Sequence, residues 1–87
     1  MAITVEFYGV PRERAGVASA LAAGASLRDV LADIGRQFPR LAESCFEGSR
    51  LGRAYAANVN GQRFVSDPET ALRPGDTLLI LAADAGG

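Results

Sequence analysis

The sequence predicts an α+β domain in which a mixed sheet of four to five strands packs on one main helix. Three observations predict it: residues 3–8 alternate apolar and polar, residues 27–38 place apolar side chains at helical spacing, and Asn60-Gly61 separates two strand-like segments. A period of two, a period near 3.6 and a hairpin signal in one short chain require a sheet and a helix that covers one of its faces.

The first strand sets Ile3, Val5 and Phe7 on one side and Thr4, Glu6 and Tyr8 on the other, and Gly9 with Pro11 marks its end. Val17 to Ala22, punctuated by Gly16 and Gly24, reads as a second strand returning along the first. The helix follows, with Leu27, Val30, Leu31, Ile34 and Phe38 along one stripe. Ser26 is its expected N-cap, Asp29 adds negative charge to the first turn, and Pro39 marks its stop. Gly35 weakens the last turn by about 1 kcal/mol relative to alanine, so fraying is expected there.

From Arg40 to Arg53 the pattern supports only a short helical turn over 42–46 and then a glycine-rich loop. Tyr55, Ala57 and Val59 alternate up to Asn60-Gly61, whose tolerance of positive φ suits a type I′ turn, and Gln62 to Val65 pairs back. Pro74-Gly75-Asp76 makes a turn into Thr77–Ala82, the most apolar strand and the one expected in the sheet interior. Two hairpins flanking one helix give the β-grasp, or ubiquitin-like, arrangement, expected over residues 1–82, with 83–87 as a flexible C-terminal tail.

A chain of 87 residues has room for one core, and 48% apolar with 22% charged residues is the balance of a folded domain. His, Lys and Trp are absent, and Cys45 is the single cysteine. Without His there is no Ser/His or Cys/His nucleophile pair, and without Lys no Walker A loop or Schiff base. One cysteine supplies neither a disulfide within the chain nor the usual zinc or iron–sulfur ligand set. Nine basic residues, all Arg, against ten acidic ones give a net charge of -1, which argues against nucleic acid as a partner. With no membrane-length apolar run and no basic leader before an apolar stretch, a cytoplasmic protein with a reduced thiol is expected.

The sequence closes on Ala83-Asp84-Ala85-Gly86-Gly87, directly after the most apolar strand. At a glycine frequency of about 7%, two terminal glycines arise by chance in roughly 0.5% of chains. Phe7 followed by Arg12-Glu13 and Gly16, then Ser26-Leu27-Arg28-Asp29-Val30-Leu31, Val59-Asn60-Gly61-Gln62, Leu72 with Pro74-Gly75-Asp76, and the final Gly-Gly occur in one order along nearly the whole chain. In these the sequence resembles the ubiquitin-like sulfur carriers, above all the small subunits of molybdopterin synthase.

The resemblance implies a protein cosubstrate rather than an enzyme. Its Gly87 carboxylate would be adenylated by a ubiquitin-activating-type adenylyltransferase that uses ATP, and then converted to a thiocarboxylate; no cofactor would be bound by the carrier itself. Gly86 and Gly87 lack side chains, which lets the terminus thread a narrow active site. The sulfur would pass to the large subunit of molybdopterin synthase or to another acceptor, since related carriers serve thiamin, cysteine or tRNA thiolation. A ubiquitin-like modifier joined through Gly87 to target lysines is the reading from another class. Where the molybdopterin relatives often have two prolines and an apolar residue before Gly-Gly, this chain has Ala82-Ala83-Asp84-Ala85, which leaves the acceptor open.

Docking needs an exposed apolar patch, and strand parity places one. If Ile3, Val5, Phe7, Leu78 and Ile80 face the helix, then Tyr8, Leu79 and Leu81 face outward together, with Phe64 nearby. The resemblance assigns partner contact to this face and adds Arg12. Cys45 reads as a structural thiol, and Glu43 with Glu47, or Asp29 with Asp33, read as solvated helix faces rather than acid–base pairs.

Overall fold

In the computed structural model, which describes residues 2–84, β1 (Ala2–Phe7) and β7 (Thr77–Ala82) run parallel at the heart of a five-stranded sheet. The remaining strands are β2 (Ser19–Ala23), β5 (Tyr55–Val59) and β6 (Arg63–Val65), in the order β2-β1-β7-β5-β6, with every other pairing antiparallel. Three helices connect them: α1 (Val10–Ala15), α2 (Leu27–Gln37) and α3 (Pro39–Cys45). This is the β-grasp fold expected from the element order.

The expected strand parity holds. Ile3, Val5 and Phe7 of β1 and Leu78 and Ile80 of β7 are buried, and in register Val5 opposes Leu78 and Phe7 opposes Ile80. They meet Leu27, Val30, Leu31 and Ile34 of α2 in one core, closed at its end by an edge-to-face contact of the Phe7 and Phe38 rings, 5.6 Å between centroids. Ser26 caps α2 as anticipated, its Oγ accepting from the Asp29 amide at 3.2 Å. Gly24, at φ +150°, lies against that first turn so closely that a Cβ would sit 2.7 Å from the Asp29 Cβ.

Two side chains of α2 close the outer edge of β2. The Asp33 carboxylate accepts from the Ala23 amide at 2.9 Å, and the Gln37 Nε2 donates to the Leu21 carbonyl at 2.8 Å. The Asp33 carboxyl is held below its ordinary range, first by the Ala23 amide and then by Arg36 and Gln37 against a desolvation cost. Asp33 is therefore a strand-edge cap.

Several expectations are corrected. α1 was not expected: six residues are too few for a periodic signal, and Gly9 and Pro11 read as turn punctuation although Pro is well suited to a helix's first turn. β2 starts at Ser19 rather than Val17. Pro39 does end α2, but it also opens α3, which is longer than the single turn expected. The presumed glycine-rich loop holds a small hairpin, β3 (Phe46–Glu47) with β4 (Arg50–Leu51), turning at Gly48, whose φ is +64°. Glu47 thus lies on a strand and shares no helical face with Glu43. α2 continues regularly past Gly35, which packs near Ala42 and Phe46.

Candidate functional site

The face of the sheet opposite α2 is built by the alternate residues of four strands. Across it, Glu6 opposes Leu79, Leu79 opposes Asn58, and Asn58 opposes Phe64, so β1, β7, β5 and β6 contribute one continuous row. One step toward the tail, Leu81 opposes Ala56, and the Tyr8 amide donates to the Ile80 carbonyl, which brings Tyr8 beside Leu81. Tyr8 is 44% exposed and Phe64 53%, with Leu79 and Leu81 half-buried between them. The structure therefore brings Tyr8, Phe64, Leu79 and Leu81 onto one surface.

Polar groups border this apolar surface on the β1 side. The Tyr8 hydroxyl donates to the Glu6 carboxylate at 2.6 Å. That bond, then partial desolvation and the Glu6 charge, raises the Tyr8 phenol above its ordinary value, while the positive charge of Arg12 opposes the rise. Arg12, on α1, stands on the Tyr8 side of the patch.

Asn58 was not among the expected site residues. It lies in the middle of the row, only 7% exposed, and its Oδ1 has no hydrogen-bond partner. The signal was present in the sequence, because a polar residue between Ala57 and Val59 must point away from the core. Its isolation, however, depends on Leu79 and Phe64, which the fold brings to either side.

The chain leaves the sheet beside this surface. The Ala83 amide still donates to the Ala54 carbonyl at 2.8 Å, so the last described bond of β7 lies one residue beyond the strand. Ala83 also lines a cleft of about 500 Å³ whose walls include Leu51, Tyr55 and Val65, together with Arg50 and Arg53. The expected reactive residues Gly86 and Gly87 lie outside the described residues, as does Ala85. Measured along an extended chain, the four residues after Ala83 reach about 13–14 Å.

Cys45 closes α3 in the core at 1% exposure, as a structural thiol does. Among the described residues, no group of three or more His, Cys, Asp or Glu side chains is arranged to hold a metal ion, and no helix is long and apolar enough to cross a membrane.

A profile of the ThiS family matches residues 5–87. The chain belongs to the ThiS family. It therefore has the β-grasp fold of the small ubiquitin-like sulfur carriers. Among solved structures it is similar to a chain of the Amycolatopsis orientalis BexX/CysO complex, with 29% identity, 99% of this chain and 100% of that one covered, and a TM-score of 0.81. CysO of Mycobacterium tuberculosis shares 27% identity over 93% of this chain and 98% of that one, with a TM-score of 0.77. SAMP1 of Haloferax volcanii, at 18% identity with both chains fully covered and a TM-score of 0.81, shares the fold. Among curated proteins no match was found. Membership in the ThiS family gives the motifs that run along the chain one common setting: Asn60-Gly61, Pro74-Gly75-Asp76 and the Ser26 cap all shape the body that carries the tail.

Proposed function

We propose that this protein is a sulfur carrier, a cosubstrate whose Gly87 carboxylate is activated and then bears the transferable sulfur. The observation that carries this reading is ThiS-family membership over 5–87 in a sequence that ends in Gly86-Gly87, with three residues between β7 and the glycines. A carboxylate is a poor electrophile, so it first attacks the α-phosphate of ATP held by a ubiquitin-activating-type enzyme and releases pyrophosphate. Hydrosulfide then attacks the acyl carbon, AMP departs as the leaving group, and the thiocarboxylate remains once the sulfur has lost its proton. The partner supplies the catalytic groups, and the carrier supplies the reactive terminus and a surface to hold.

That surface is the patch of Tyr8, Phe64, Leu79 and Leu81, with Arg12 at its border. Its position beside Ala83 lets a partner grip the body while the tail enters its active site. We place the reaction in the cytoplasm, where ATP and reduced sulfur are available.

For the acceptor, the order of motifs along the chain favours the large subunit of molybdopterin synthase. The similarity to CysO, one example of which is seen in a complex with BexX, and the Ala82-Ala83-Asp84-Ala85 stretch favour a different sulfur acceptor. Intact-mass spectrometry after co-expression with the activating enzyme and a sulfur source tests the carrier reading. The expected product is the whole chain with one oxygen replaced by sulfur at its C-terminus. An unchanged mass while the enzyme consumes ATP refutes it, and isopeptide-linked conjugates identify a protein modifier instead. Incubating the thiocarboxylate form with each acceptor separates the two acceptor readings by which one takes the sulfur.

A further inference from the structure

Asn58 is at odds with its surroundings. An amide withdrawn from water without a partner destabilises a fold, and among the described residues its Oδ1 is the one buried side-chain polar atom left without a hydrogen bond. Whichever way the amide is turned, one of its polar atoms occupies that dry position. The residue does nothing for the core, since the side chains that fill it, Ala57 and Val59, point the other way.

The neighbours in its row define what would satisfy it. Glu6 and Asn58 flank Leu79 on neighbouring strands, and adjacent strands lie about 4.8 Å apart, so the backbones that carry these two acceptor side chains stand about 10 Å from each other across one leucine. Glu6 accepts from Tyr8 through Oε1 and takes part in no ion pair among the described residues. Phe64 completes the row with an exposed ring, whose π-face attracts cations. A carboxylate, an amide oxygen and an aromatic ring set in an apolar surface are complementary to a positive charge on a hydrocarbon stem.

We infer that Asn58 is the polar anchor of the docking surface and that it accepts a hydrogen bond from a cationic side chain, arginine or lysine, on the activating enzyme. This rests on the carrier function proposed above. The donor reaches the amide between Leu79 and the exposed ring of Phe64, its partners across the sheet, and Leu79 packs along the incoming stem. The free protein carries the desolvation cost, and docking recovers it, so a partner without the donor is disfavoured.

Opposite signs in two measurements test the assignment. Asn58→Leu is expected to raise the melting temperature by roughly 4–8 °C, because the stranded polar atom is gone. In ATP–pyrophosphate exchange with the activating enzyme, the same variant is expected to raise the KM for the carrier roughly tenfold or more, the loss of a charge-assisted hydrogen bond. Asn58→Ala, which adds no bulk, is expected to shift KM the same way. If wild-type protein exchanges and both variants keep its KM, or both melt lower than wild type, the anchor is refuted while the carrier function stands. Absence of exchange by the wild type refutes the function and this inference with it.

Discussion

Asn60 and Asp76 join the two tight turns of the sheet: the Asn60 Nδ2 donates to Asp76 Oδ1 at 3.0 Å. The Thr77 amide donates to Asn60 Oδ1, the Asn60 amide donates to the Thr77 carbonyl, and the Arg73 amide donates to Asp76 Oδ2. Asn60 does this at φ 59°, in the left-handed region that asparagine tolerates. Asn60→Gly keeps that backbone and loses only the side-chain bonds. Asn60→Ala loses both, and is expected to be the less stable of the two by about 1 kcal/mol in urea unfolding.

Asp76 adds a pH dependence to this junction. The Arg73 amide, and next the Asn60 side chain, hold its carboxyl below the ordinary aspartate value. A lowered native value means that its contribution is present above the unfolded-state pKa and is lost as pH falls through the native one. Thermal melts of wild type and Asp76→Asn are expected to differ most near neutral pH and to converge in acid. A gap that widened in acid would contradict this.

Adjacent residues of β7 divide the core from the proposed docking surface. Ile80 is fully buried and Leu81 half-buried on the far face. Ile80→Asp is expected to abolish the folded circular dichroism spectrum, since an unpaired buried carboxylate costs several kcal/mol against a total stability of about 5–15 kcal/mol. Leu81→Asp keeps the spectrum and lowers affinity for the activating enzyme.

Two glycines of similar appearance in the sequence are expected to respond in opposite ways. Gly35 sits inside α2 with ordinary room for a methyl group, 3.6 Å from the Ala42 Cβ and the Phe46 ring. Gly35→Ala therefore gains up to about 1 kcal/mol of helix propensity. Gly24→Ala meets the Asp29 Cβ and the Val30 amide below 3.0 Å at a positive φ, and is expected to lower the melting temperature sharply.

Replacing Gly86 with Val, or deleting Gly87, is expected to abolish ATP–pyrophosphate exchange. The first adds a branched side chain where the terminus must thread, and the second withdraws the carboxylate by about 3.3–3.6 Å. Exchange undiminished in both variants would show that the two glycines are incidental to function.

Strong periodicity made β1, α2 and β5 legible, and β7 was legible as the most apolar run, bounded by the Pro74-Gly75-Asp76 turn. α1, β3 and β4 were not, being two to six residues long: α1 is too short for a helical period, and β3 and β4 pair with each other over only two residues each, too few for an alternation to show. Of the outward apolar face, Tyr8, Leu79 and Leu81 follow from strand parity, and Phe64 was placed only as a neighbour until the β5–β6 register set it opposite Asn58. Asn58 required the register, since only the identity of its neighbours across the sheet shows that its amide is stranded.

The capping of β2 by Asp33 and Gln37 bears on what this edge can pair with. An open strand edge next to Leu21, 64% exposed, would invite chains to stack into a continuous sheet. Two side chains of the neighbouring helix take up the Ala23 amide and the Leu21 carbonyl before another molecule can, and so leave a second chain fewer free groups to pair with.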